Sequence, residues 1–201
     1  MHLQWKEIVT LDADLKERMG EQRFLVDDEK NIGYTMKVER NKDGEIKESQ
    51  LLSFKTGKKA DGKCSVVAED VDVMMGAKDG DIYYLTDMDE GMGDLYCNEE
   101  LIDSDVMIGT LEFTKEQKYP IYKTDYNTSK NLFTLKMFDG KNAKVIADDA
   151  FDYKVVDEKK IAVLVDYDDD DSTGTLKLYR GKDKLIELDD DVICLFGGMY
   201  N

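Results

Sequence analysis

Residues 166–174 read DYDDDDSTG, with five aspartates in six positions. Carboxylates this dense repel one another and attract cations, so the stretch could be a calcium loop, an acid cluster or a solvated hairpin tip. An EF-hand loop places ligands at alternate positions, a glycine sixth and a bidentate glutamate twelfth. Counted from Asp166, residues Asp168 and Asp170 fall on the alternation, but Asp171 is sixth and Lys177 twelfth. The spacing makes Asp166, Asp168 and Asp170 a weak Ca²⁺ candidate and suggests no other cofactor. The favoured reading is a hairpin whose acidic tip discourages edge pairing.

Other chemistry is thinner. The one histidine, His2, stands at the terminus, so no Ser/His/Asp or Cys/His set can be assembled around it. Cys64, Cys97 and Cys194 are far apart and odd in number, which predicts small buried apolar residues rather than a disulfide framework or a zinc site. There is no P-loop and no GxGxxG, and FGGMY at 196–200 reads as a strand end or bulge. The 10 methionines, Met74 and Met75 among them, read as core filler.

The chain has 201 residues, 36% of them charged and 41% hydrophobic, enough apolar material for a real core. Its formal net charge of −17 repels phosphate backbones and anionic membranes, which argues against nucleic acid as a partner. A basic protein face or a cation stays open. No apolar run approaches a membrane span and no signal peptide follows Met1, so the sequence predicts a soluble protein, cytoplasmic as it stands, or extracytoplasmic if it is a piece of an anchored one.

The elements that must position these residues recur. LVDDEKNIGYTMKVE at 25–39 matches KVVDEKKIAVLVDYD at 154–168, and a Thr-Asp pair ends an apolar strand at Asp87 and again at Asp125. An aspartate followed by an apolar residue recurs as Asp14-Leu15, Asp70-Val71, Asp105-Val106, Asp149-Ala150 and Asp191-Val192, and is expected to close a short strand. The first interval is the longest because DLKERMGEQ, with Asp14 and Glu17 spaced as a capping box, predicts an inserted helical turn. Each full unit reads as four short strands, a to d. Strand c shows the clearest period-two alternation, at Leu52/Phe54, Leu95/Cys97, Phe133/Leu135/Met137 and Leu176/Leu178. Pro120 opens strand b of the third unit, where a missing N–H is tolerated.

Antiparallel four-stranded units at intervals of 35–44 residues predict an all-β chain built as a β-propeller, with a β-solenoid or a pair of sandwiches as the alternative. The expected units are 24–69, 70–104, 105–148 and 149–190, about four full blades, in a single domain over 1–201. The stretch IYYLTDMDEGMGDLYCNEELIDSDV at 82–106, with its relative in 161–192, resembles the repeats of bacterial propeller proteins of the wide TolB/WD40-like group. That resemblance implies a blade-built scaffold and carries over no catalytic residue.

WKEIVTLD near the start reads as a lone strand d and VICLFGGMYN at the end as a lone strand a, so the termini are expected to form a partial closing blade or to pair with another copy. For glycoside hydrolysis, acids should converge from the innermost strands. The first positions after the marks at 70, 105, 149 and 191 and their apolar partners are Asp72, Met107, Phe151 and Ile193. The next are Val73, Ile108, Asp152 and Cys194. No position is acidic in more than one unit. The sequence therefore favours a non-enzymatic binding or scaffold module that meets a protein or saccharide through its loops and faces. The alternatives are a cation-dependent or glycan-active module using the acidic loops, or a fragment of a larger propeller.

Overall fold

The computed structural model describes residues 24–27, 30–181 and 185–195, and within them the fold is all-β. The first sheet is an antiparallel meander of β1 (Phe24–Asp27), β2 (Ile32–Arg40), β3 (Ile46–Lys55) and β4 (Cys64–Glu69). The second repeats that order with β5 (Val73–Gly76), β6 (Ile82–Asp89), β7 (Met92–Cys97) and β8 (Glu100–Met107). The third has seven strands: β9 (Glu112–Phe113), β10 (Pro120–Asn127), β11 (Leu132–Phe138), β12 (Ala143–Asp157), β13 (Lys160–Asp168), β14 (Thr173–Tyr179) and β15 (Ile186–Val192). A single 3₁₀ turn, Gly57–Lys59, is the only helical element among the described residues, and no helix there is long and apolar enough to cross a membrane.

The third sheet is two four-strand groups that share a strand. The first part of β12 pairs with β11 and the later part with β13, and Ala150 is the residue paired on both sides, to Phe133 and to Val165. The chain thus holds four successive groups, three of them opening on a first strand of their own and the fourth beginning inside β12. The first strand of the third group, β9, is only two residues long, because Ile108 and Gly109 turn away before it.

The recurring aspartates have a backbone cause. Asp70, Asp105, Asp149 and Asp191 all have φ between 46° and 56°, as do Asp87, Asp125 and Asp166 at the ends of the second strands. Left-handed backbone costs most L-residues about 1–2 kcal/mol, and the short polar side chain of Asp is among the few that enter it readily. The marks were expected to close strands. Asp70 does so, directly after the last residue of β4, but Asp105, Asp149 and Asp191 lie inside β8, β12 and β15, each at a break in register after which pairing resumes. The bulge turns the strand so that the next residue points inward. Val106 and Ala150 are fully buried accordingly, and Val71 is buried after the left-handed Asp70.

Three apolar clusters join neighbouring groups in chain order. Leu51 of the first group meets Val71, Met74, Ile82 and Tyr84 of the second. Tyr83, Leu85 and Leu95 of the second meet Leu111 and Tyr122 of the third. Ile121, Phe133 and Leu135 of the third meet Ile161, Val163 and Tyr179 of the fourth. Each fully buried leucine or valine contributes roughly 1.5–3 kcal/mol, so no group stands on its own sheet alone.

The third-strand alternation is as expected in β7 and β11, where Leu95/Cys97 and Phe133/Leu135/Met137 are buried. It shifts at the ends of the array. Leu52 and Phe54 share a face, but Leu51 on the opposite face is the fully buried residue because that face meets the second sheet. Leu176 and Leu178 are only half-buried. WKEIVTLD, Asp14, Glu17 and FGGMY lie outside the described residues, and 193–195, expected to extend a strand, are irregular.

Candidate functional site

The acidic stretch 166–171 spans the end of β13 and its turn into β14. Asp166 sits at the bulge and accepts an ion pair from Lys177 Nζ at 2.9 Å. Asp168 turns its Oδ1 onto the backbone N–H of Asp170 at 2.8 Å, and its own backbone pairs with Thr173 to close the hairpin. In the preceding group Asn127 has the same place and accepts the backbone N–H groups of Ser129 at 3.1 Å and Lys130 at 3.2 Å. An uncharged side chain performs that task equally well, so its requirement is an acceptor oxygen rather than a charge. Asp166, Asp168 and Asp170 are not brought together as ligands: among the described residues no group of three or more His, Cys, Asp or Glu is placed to hold a metal ion.

The acids expected at the first strands of the groups, Asp72 and Asp152, share no hydrogen bond or ion pair with each other. Asp72 is exposed and its backbone N–H bonds to the carbonyl of Leu85 at 2.9 Å. Asp152 folds its Oδ1 onto the N–H of Tyr153 at 2.8 Å. Phe151 stacks on Tyr167 with centroids 3.7 Å apart. The three cysteines are free thiols, and burial pushes Cys97 up to about 11, which leaves no thiolate at neutral pH.

One arrangement escaped the sequence reading. Lys123 stands where the neighbouring groups carry the fully buried Leu85 and Leu164, and Phe133 stands where they carry Gly93 and Gly174. The two exchanges answer each other, because the Lys123 ammonium lies 3.8 Å from the centre of the Phe133 ring and 5.4 Å from that of Tyr153. Burial holds the Lys123 pKa below that of an ordinary lysine, against the pull of Asp152 and Glu112. Tyr153 is raised, by burial first and by Glu112 next. Thr110, Glu112, Lys123 and Tyr153 line an open cleft of about 420 Å³. A charged residue at a core position of the repeat was the available signal. Its plainest consequence is a cation–π contact, in which the ammonium head rests on the Phe133 ring.

A second recurring feature is on the outside. β4, β8 and β15 end their sheets, and the first half of β12 pairs on one side only. Four residues before each aspartate mark, the outer strands carry Val66, Leu101 and Val145, exposed by 54%, 50% and 53%. Glu187 takes that position in β15, flanked by the exposed Ile186 and Leu188. Large aliphatic side chains half in water, at one repeat position on three strands that each have a free edge there, are the feature here most suited to contact with another molecule.

No family profile matches the chain, and no curated protein matches it. Among solved structures it is similar to a chain described as the crystal structure of the eukaryotic initiation factor, at 11% identity and a TM-score of 0.48, over 86% of this chain and 43% of that one. The chain therefore spans less than half of that structure, and so weak a likeness bears on neither partner nor activity.

Proposed function

We propose that the chain is a non-enzymatic binding scaffold whose four strand groups stack as propeller blades and present their outer strands to a protein partner. The observation that carries the reading is the set Val66, Leu101 and Val145, apolar and exposed at one position of successive outer strands. Isolated exposed aliphatics need no explanation, but a repeated one on free strand edges matches a surface that binds along the array. The three clusters joining each group to the next favour blades over a pair of sandwiches, which the same three sheets would also suit. The resemblance of 82–106 to TolB/WD40-like repeats agrees with that arrangement.

The test is a triple variant, Val66→Asp, Leu101→Asp and Val145→Asp, compared with the natural chain in affinity capture followed by mass spectrometry. The expected result is a captured protein whose recovery falls at least tenfold with the variant, while its circular dichroism and unfolding midpoint stay close to those of the natural chain. Capture indifferent to the triple change, or a measured turnover on a glycan panel, would overturn the proposal.

A further inference from the structure

Between the β7–β8 turn and the β11–β12 turn lies a second open cleft, of about 890 Å³. Leu101, Ile102 and Phe138 supply its apolar wall. Its rim carries the carboxylates of Asp81, Glu99 and Glu100 against one ammonium, that of Lys141. Glu99 and Glu100 are exposed, whereas the nearby Asp139, drawn down to about 2 chiefly by Lys144, already has its cation at 2.6 Å. The cleft therefore offers uncompensated negative charge beside aliphatic surface. It also opens between two unpaired edges, since β8 begins at Glu100 and β12 at Ala143.

We infer that this cleft takes an extended, basic peptide segment of a partner protein, which adds as a strand to the free edge of β8. Free N–H and C=O groups on β8 supply the main-chain pairing, Leu101, Ile102 and Phe138 take an aliphatic side chain, and Glu99 and Glu100 receive flanking Lys or Arg. An acidic peptide would meet three carboxylates and one ammonium, so the sign of the charge decides the partner. The inference rests on the scaffold reading above and names the chemistry of its partner at one place on the rim.

The probe is a fluorescein-labelled KVRLKV hexapeptide, read by anisotropy against the full chain, with EVELEV and a KVRLKV methylated at alternate backbone nitrogens beside it. KVRLKV is expected to bind, EVELEV not to, and the methylated peptide to bind at least tenfold more weakly. Binding of KVRLKV should fall at least tenfold in Glu99→Lys/Glu100→Lys and in Leu101→Asp, and stay within twofold in Ile46→Asp, an equally exposed aliphatic at the start of β3. The two glutamates are exposed at a turn, so that variant remains folded if Leu101→Asp does not. Equal binding by all variants would mean attraction to the net charge alone and would overturn the inference. So would stronger binding of EVELEV, no binding of any peptide, or indifference to backbone methylation. Loss of the inference while the triple rim variant still abolishes protein capture would leave the scaffold reading standing. Failure of both would remove the rim as an interaction surface.

Discussion

Asp149 shows how much one side chain contributes to this fold. Its φ is 46°, it is exposed, and it bends β12 so that Ala150 can be paired on both sides. Nothing but its tolerance of left-handed backbone is required there. Asp149→Gly should leave the unfolding free energy within about 0.5 kcal/mol, because glycine enters that region freely. Asp149→Val should cost about 1–2 kcal/mol, because a β-branched residue enters it poorly. Urea unfolding of both variants checks the pair, and a valine as stable as the natural residue would refute the backbone explanation. The sequence displayed these aspartates clearly, as a recurring mark. It did not display their reason, because a bulge and a strand end look alike without the partner strand. The acidic stretch 166–171 was legible in a similar way: its place between two strands followed from the repeat, but the division of labour between Asp166 on Lys177 and Asp168 on its own turn depends on where the chain brings Lys177.

Between elements, the second and third sheets meet through a polar latch as well as an apolar cluster. Asp103 of β8 accepts the Tyr122 hydroxyl of β10 at 3.1 Å and pairs with Lys136 of β11 at 3.0 Å. The carboxylate and the ammonium are 17% and 19% exposed, and burial, with Asp103 next, raises the tyrosine. A half-desolvated pair is costly to break from one side, since the remaining group keeps its burial and loses its partner. Asp103→Ala should therefore destabilise by about 1–3 kcal/mol. Tyr122→Phe removes a donor cleanly, and the double variant should be less destabilised than the sum of the singles by about 0.5–1.5 kcal/mol. A thermodynamic cycle in urea measures this, and strict additivity would mean that the latch is not an energetic unit. No part of it was readable beforehand. Asp103, Tyr122 and Lys136 sit on three strands, and only the packing of β8 against β10 makes them neighbours. Lys123 differs: it occupies a leucine position of the repeat, so the sequence held that signal and alignment of the third group against its neighbours would have exposed it.

At the scale of the molecule, stability is a chain of neighbour contacts, with one link stronger than the rest. Among the described residues the first and second sheets meet through the side chains of one apolar cluster, whereas the third and fourth groups also share β12. In arrays of this kind, destabilisation spreads through interfaces to adjacent units. Leu135→Ala in the third group removes a fully buried side chain at a cost of about 2–5 kcal/mol. Hydrogen exchange by mass spectrometry should then show protection lost together in β10–β14, with β2 and β3 of the first sheet much less affected. Uniform loss over all four groups would contradict that hierarchy. The alternation of the strands and the spacing of the marks predicted four groups. The sharing of β12 was hidden, because the mark at Asp149 reads as a boundary although the strand passes through it.

The fifteen residues of β12 also restrict how the chain can be shortened or rearranged. A cut at 148, the obvious division on paper, would leave 143–147 on β11 and 150–157 on β13, but would lose the pairing of Ala150 with Phe133 and break the one continuous rail that keeps seven strands in a single sheet. A cut near 109, in the turn after β8, severs no ladder. Proteases, engineers making circular permutants, and evolution duplicating pieces of this chain all meet that asymmetry: the last two groups are spliced through a common strand, whereas the first and second sheets are not.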